Sequence, residues 1–276
     1  MRYAVDLGNS AAKAGWRQNG ARRSARVPAP SDPTSTAAWR TQIRSLLDLA
    51  VAEGGEAKGL AFASVVPAAA EALHALAAER EIAVREITVI DAPLKIALDA
   101  PERLGIDRAL GAWRAYATWG APQRRGAIAV TLGTAMTLTC VTRSGEIIGG
   151  AIAPSPLLAA RALSEGTAAL PEITLFDESP ELPGPIGAST DAAIAAGILR
   201  GARAALAALI EESIQEMLHR DPNAPRPAIV LAGGAATAGW SAGIHADARE
   251  AELVLDAILA LDAAHHATVA AQERQR

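Results

Sequence analysis

Three short stretches of this chain carry residue types that can handle phosphate. The first is Asp6-Leu7-Gly8-Asn9-Ser10, with Lys13 following. A carboxylate at a strand end can orient Mg²⁺ or its water shell beside the phosphates of ATP. Gly8 removes a steric obstacle, Asn9 and Ser10 donate hydrogen bonds, and Lys13 balances charge. A hairpin turn with an Asp and no ligand is the other reading of these residues. The second stretch is the turn Gly133-Thr134, where the hydroxyls of Thr131, Thr134 and Thr137 can hydrogen-bond phosphate oxygens. Gly-Thr turns are common in sheets, but this one repeats the strand, glycine turn and strand of the N-terminus. The third is Gly105-Ile106-Asp107-Arg108 at the start of a helix, where amide groups favour anions. Asp107 can accept a proton from an alcohol that attacks a γ-phosphoryl group, and Arg108 can hold a carboxylate in its planar fork. An ordinary first-turn Asp beside a solvated Arg is the alternative. Gly233-Gly234, after Val230-Leu231, suits a close backbone approach to adenosine, or a plain turn.

These stretches need strands and helices to hold them. Tyr3–Leu7 and Ala11–Trp16 read as strands around the first turn. Gly126–Pro154 reads as a three-stranded meander: 127–131, 135–141 and 146–152. Residues 22–33 read as a polar connection. Thr36–Ala52 is a predicted helix with Ile43, Leu46, Leu47, Ala50 and Val51 on one face, stopped by Gly54-Gly55. A strand over 59–66, a helix opened by Pro67, a strand over 84–90 and a helix over 104–119 follow. This alternation points to α/β architecture. Beyond the meander come a short helix over 156–163 and a loop over 166–187 with four prolines. Ser189-Thr190-Asp191 then caps a helix to about His219. Gly197 and Gly201 each cost that helix about 1 kcal/mol relative to Ala, which suggests close packing there. A strand over 228–231 and a helix over 253–261 close the pattern, and the tail from Ala263 is expected to fray. The expected lobes are residues 1–110 and 111–276.

Composition narrows the partners. Aromatic residues make up 3% of the chain and the net charge is −4, which argues against a nucleic-acid protein. Cys140 is the single cysteine, so no intrachain disulfide forms, and its place in a strand reads as core. The histidines stand at no metal-ligand spacing. No uninterrupted apolar run approaches the ~18 residues of a membrane span, and because Asp6 interrupts the first strand a leader is not expected. The expectation is a cytoplasmic protein with no membrane partner.

In order, the stretches DLGNSAAK (6–13), ASVVP (63–67), PERLGIDR (101–108), LGTAMT (132–137), GGAIAP (149–154), Ser189-Thr190 and LAGG (231–234) resemble type III pantothenate kinases. That family lies within the acetate kinase, sugar kinase, Hsp70 and actin superfamily. The resemblance implies two RNase H-like α/β lobes with a nucleotide cleft between them. It also implies ATP-dependent phosphorylation of pantothenate to 4′-phosphopantothenate, the first step of coenzyme A synthesis. Mg²⁺, a monovalent cation (K⁺ or NH₄⁺) and a homodimer are implied with it. Carried over by residue, Asp6 to Ser10 and Lys13 hold ATP phosphates, with Asp6 acting on Mg²⁺ through ATP, and Thr134 touches ATP. Gly105, Ile106, Asp107 and Arg108 bind pantothenate with Asp107 as base, and Thr190 touches the substrate. Three positions depart from the family pattern. Thr131 replaces an acid that ligates the monovalent cation, Leu98 aligns with a substrate-facing Tyr, and Ser155 replaces a glycine. The departures open an alternative: a catalytically degenerate, kinase-fold accessory factor that binds a ligand or a regulatory partner.

Overall fold

The computed structural model describes residues 1–175 and 182–274. The chain forms two compact units. The first comprises Met1–Pro93, Glu102–Leu110 and Leu253–Arg276, and the second Leu94–Pro101 and Gly111–Glu252.

The first unit opens with a meander of β1 (Arg2–Leu7), β2 (Ala11–Gln18) and β3 (Ala21–Pro28). Alternation sends Tyr3, Val5 and Leu7 to one face together with Ala12, Ala14 and Trp16. That face is covered by α1 (Thr36–Gly54), through Trp39, Ile43, Leu46, Leu47 and Ala50. Each large apolar side chain buried there contributes about 1.5–3 kcal/mol. The Ser35 hydroxyl caps α1 by accepting from the Ala38 N–H at 3.2 Å. Gly55 ends it at φ +89, its N–H donating to the Val51 carbonyl at 2.8 Å. Strand β4 (Gly59–Ser64), helix α2 (Pro67–Glu79) and β5 (Val84–Glu86) follow, giving the order β3-β2-β1-β4-β5 with β4 and β5 parallel to β1.

The second unit begins with β6 (Lys95–Ile96). Helix α3 (Ile106–Ala115) carries the chain from the first unit into the second. A second meander, β7 (Ala127–Leu132), β8 (Ala135–Val141) and β9 (Glu146–Pro154), leads into α4 (Pro156–Gly166) and α5 (Thr190–Arg220). Strands β10 (Ala228–Ala232) and β11 (Ala248–Glu250) lie parallel to β7. The order β11-β10-β7-β8-β9-β6 repeats that of the first unit, with β6 added at the edge. Its core includes Ile128, Val130, Leu138, Leu206, Ile210 and Ile214. Cys140 is buried in β8, as its place in the pattern suggests.

Four expectations are corrected. Residues 21–28 are a strand, not a connection. Asn19 (φ 51) and Gly20 (φ 80) make the left-handed pair that a two-residue hairpin requires, and the arginines of this edge strand conceal it as a polar segment. The C-terminal segment does not fray: α6 (Leu253–Arg274) is continuous. It also does not belong with 111–252, because it packs on the first unit's sheet. Leu255 lies where a Cβ on Gly15 would touch it at 3.4 Å, Arg22 pairs with Asp256 at 2.5 Å, and Arg2 pairs with Asp262 at 2.6 Å. Residues 94–101 move the other way, because the β6–β9 pairing ties them to the second sheet. Part of the expected 166–187 loop, residues 176–181, lies outside the described residues. Helices α5 and α6 are long and apolar enough to cross a membrane by length and composition. In this fold each lays one face on its own unit's core, through Leu206, Ile210 and Ile214 of α5 and Leu255, Ile258 and Leu261 of α6.

Candidate functional site

The N-terminal loop is set by the β1–β2 register. Asp6 lies opposite Lys13, and Lys13 opposite Arg26, so one acid and two bases stand in a row across three strands. Directly opposed residues share a face, with Cβ atoms about 4.5–5.5 Å apart. Leu7 is buried in the core, while Asn9 and Ser10 are exposed at the turn. The Gly8 N–H closes that turn on the Ala11 carbonyl at 3.0 Å. A Cβ on Gly8 would meet nothing closer than 3.4 Å, so the fold itself does not demand glycine there.

The second unit repeats this arrangement. Thr131 in β7 lies opposite Thr137 in β8 and beside Ala232 in β10, as Asp6 lies opposite Lys13 and beside Ala63. Thr131 therefore holds in the second sheet the place that Asp6 holds in the first. The Gly133 N–H donates to the Ala135 carbonyl at 3.1 Å, and a Cβ on Gly133 would be 3.9 Å from its nearest neighbour. Thr134 is exposed at the tip. Gly233 differs. Its φ is +88 and a Cβ would stand 2.5 Å from the Leu132 carbonyl oxygen, so sheet geometry alone requires glycine at that position.

Gly105 to Arg108 open α3. Ile106 is buried, and Asp107 and Arg108 are partly buried. The Arg108 N–H donates to Asp107 Oδ1 at 2.8 Å. Burial pushes the Asp107 carboxyl above the usual carboxylate range, against the opposing pull of that N–H and of the Arg108 charge. A carboxylate held this way has more proton affinity than a solvated one, which suits a general base. Asp6, Lys13, Asp107 and Arg108 all belong to the first unit, and Thr131, Thr134, Leu98 and Thr190 to the second.

Leu98 follows β6 in irregular chain and is partly buried. Thr190 is the exposed first residue of α5, behind Ser189, whose hydroxyl accepts from the Ala192 N–H at 3.2 Å. Thr190 lies at the edge of an open groove between α4 and α5, lined also by Leu163, Leu170, Ile194 and Gly197. Ser155 is buried and caps α4, accepting from the Leu158 N–H at 3.3 Å. Sequence reasoning missed Arg249, which gathers the carbonyls of the segment after Gly233. A lone arginine in a three-residue strand gave no periodic signal.

The family model described as type III pantothenate kinase matches residues 3–212. The type III pantothenate kinase 1 of Symbiobacterium thermophilum is 37% identical over 50% of this chain. That match spans about half, 49%, of the relative's length. The type III pantothenate kinase of Thermomicrobium roseum is 31% identical over 72% of this chain and 72% of its own. Among solved structures, the ethanolamine utilization protein EutJ of Carboxydothermus hydrogenoformans aligns with a TM-score of 0.50 at 15% identity, covering 94% of this chain and 88% of its own. The likeness to EutJ is one of fold alone: mixed α/β sheets in two units.

Proposed function

The chain belongs to the type III pantothenate kinase family, and from that premise we propose that it transfers the γ-phosphoryl group of ATP to pantothenate, yielding 4′-phosphopantothenate and ADP. The observation that carries the reading is Asp107: a partly buried carboxylate of raised proton affinity at the N-terminus of α3. The substrate hydroxyl oxygen bonds to the γ-phosphorus as the bond to the ADP oxygen breaks, and the hydroxyl proton passes to Asp107. Arg108, Gly105 and Ile106 hold pantothenate, with Thr190 and Leu98 as further contacts. The loop from Asp6 to Ser10, Lys13 and Thr134 hold the nucleotide. The glycines at 8 and 133, which the fold does not require, leave room for phosphate oxygens at both turns.

Mg²⁺ is implied by the family. Among the described residues no group of three or more His, Cys, Asp or Glu is placed to hold a metal. Mg²⁺ beside a nucleotide needs only one or two carboxylates plus phosphates, and Asp6 at the end of β1 fits that role. When bound, it neutralises charge on the phosphates. The monovalent cation fits less well. Thr131, Thr137 and Ala232 are neutral and offer K⁺ or NH₄⁺ no carboxylate. That neutrality favours the second reading, a kinase-fold accessory factor without turnover.

The same reading includes a cytoplasmic setting, a small-molecule substrate with no nucleic acid or membrane partner, and a homodimer through α5. Supporting the dimer, a Cβ on Gly197 or Gly201 would meet no described residue within 4 Å beyond its chain neighbours and the nearby backbone of α5, so both glycines leave room for a second helix. A monomer mass independent of concentration would contradict it. ADP release from ATP, Mg²⁺ and pantothenate, with and without K⁺ or NH₄⁺, tests the activity.

A further inference from the structure

Between β10 and β11 the chain forms neither a long helix nor a strand. It makes two 3₁₀ turns, Gly234–Thr237 and Gly239–Ser241, which leave many backbone carbonyls to satisfy. One side chain collects them. Arg249, in β11, donates to the Ala236 carbonyl at 2.5 Å and to those of Ile244, Ser241 and Ala242 at 2.7, 3.0 and 3.3 Å. The buried Ser241 hydroxyl lies 2.8 Å from the Ala235 carbonyl oxygen and 2.9 Å from that of Ala238. Ala236, Ala238, Trp240 and Ile244 anchor the segment in the core. Four carbonyls bonded to one planar cation make the segment a fixed surface.

Its position gives that surface a use. Gly233, held against the Leu132 carbonyl, launches the segment directly beside the Gly133-Thr134 turn. Both lie at the carboxyl ends of parallel strands, where α/β sheets hold ligands. Phosphates held at Gly133-Thr134 would leave residues 234–244, which start beside that turn, within reach of the nucleoside. We propose that Arg249 is a positioning residue for nucleotide binding: it fixes the 234–244 surface against which the adenosine half of ATP packs, without touching the ligand. This rests on the reading of the chain as an ATP-using kinase.

The test is a calorimetric titration of the full chain, as wild type, Arg249→Gln and Arg249→Lys, with ATP and separately with tripolyphosphate. Arg249→Gln should weaken ATP about tenfold and leave tripolyphosphate within about twofold, because the phosphate turns are untouched. Arg249→Lys should recover part of the ATP affinity, since it keeps the charge and some of the bonds. A merely structural role would move both ligands together, and that result, or an unchanged ratio in either variant, overturns the proposal. If Arg249→Gln does not fold, Arg249→Lys carries the same comparison with a smaller expected loss. A wild type that shows this Arg249 dependence but phosphorylates no pantothenate would sink the kinase reading alone. A wild type that binds no ATP would overturn both.

Discussion

The carboxylate of Asp107 occupies the space that a side chain on Gly105 would fill: a Cβ there would stand 2.6 Å from Asp107 Oδ1. Apart from its two chain neighbours, no other described residue comes within 4 Å of that Cβ. The φ of Gly105 is not in the left-handed region, so the glycine serves the carboxylate and not the backbone. The Arg108 N–H holds the same oxygen at 2.8 Å. Glycine two residues before and an amide one residue after thus fix where the base sits.

Gly105→Ala should therefore spare folding and harm chemistry. The methyl displaces the end of a flexible side chain, not backbone. We expect kcat to fall by about tenfold or more, because a base must stay within hydrogen-bond reach of its proton. The melting temperature should hold within a few degrees. Steady-state kinetics showing an unchanged kcat would remove Gly105 from this role.

Asp107→Asn should lower turnover by ~10²–10⁴-fold while nucleotide binding persists. The pH dependence has a definite sign. The folded chain holds the Asp107 proton more tightly than the unfolded chain does. The associated stability is present below the unfolded carboxylate pKa and is lost as pH rises through the raised folded value. At neutral pH the buried charge is a cost, so Asp107→Asn should melt no lower than wild type. Wild-type kcat/KM should rise with pH along a limb above the ordinary Asp range. A variant that keeps that limb, or keeps full turnover, would dismiss Asp107 as the base.

Asp6→Asn should weaken Mg²⁺·ATP much more than ATP without metal, because the carboxylate acts through the cation. The residue faces Lys13 across the β1–β2 hairpin, so the variant also leaves that cation opposite a neutral partner. Metal-free ATP should therefore bind no more weakly, because a negative charge beside its phosphates is removed. Equal losses in paired titrations with and without Mg²⁺ would contradict the assignment.

Thr131→Asp should raise activity and create K⁺ dependence. Thr131 holds in the second sheet the place of Asp6 in the first, with neutral register partners. A carboxylate there would attract a monovalent ion by about 4 kcal/mol at ~4 Å and an effective dielectric of ~20, less its own desolvation cost. Leu98 limits the gain, since its aliphatic side chain can pack on the substrate but cannot supply the hydroxyl of the Tyr with which it aligns. Strong K⁺ activation of the wild type would show that other groups supply the ligands.

Much of this fold was legible in the sequence because its two glycine turns interrupt strongly apolar strands. Tyr3, Val5 and Leu7 alternate as a half-buried strand should, and Gly133 marks the second meander as Gly8 marks the first. Strand β3 was hidden because Arg22, Arg23 and Arg26 lie on an edge, where solvated charge is tolerated and looks like loop. Asn19-Gly20 was the signal that could have found it. The return of α6 to the first unit was not legible. It depends on contacts of Arg2 and Arg22 with Asp262 and Asp256, which stand more than two hundred residues away in the chain. Of the candidate site, the residue types at Asp6 and Asp107 were readable. The seating of Asp107 over Gly105 and the clamp of Arg249 were not, because both are three-dimensional coincidences of a carboxylate or a guanidinium with backbone.

The most direct measurement is phosphopantothenate formation by the purified chain with ATP, Mg²⁺ and pantothenate, scored beside Asp107→Asn. The wild type should give stoichiometric ADP and phosphopantothenate, with little response to K⁺, and the variant should lose ~10²–10⁴-fold. No phosphopantothenate from either the wild type or Thr131→Asp, in a protein that still binds ATP, would contradict it and make the non-catalytic reading the better one.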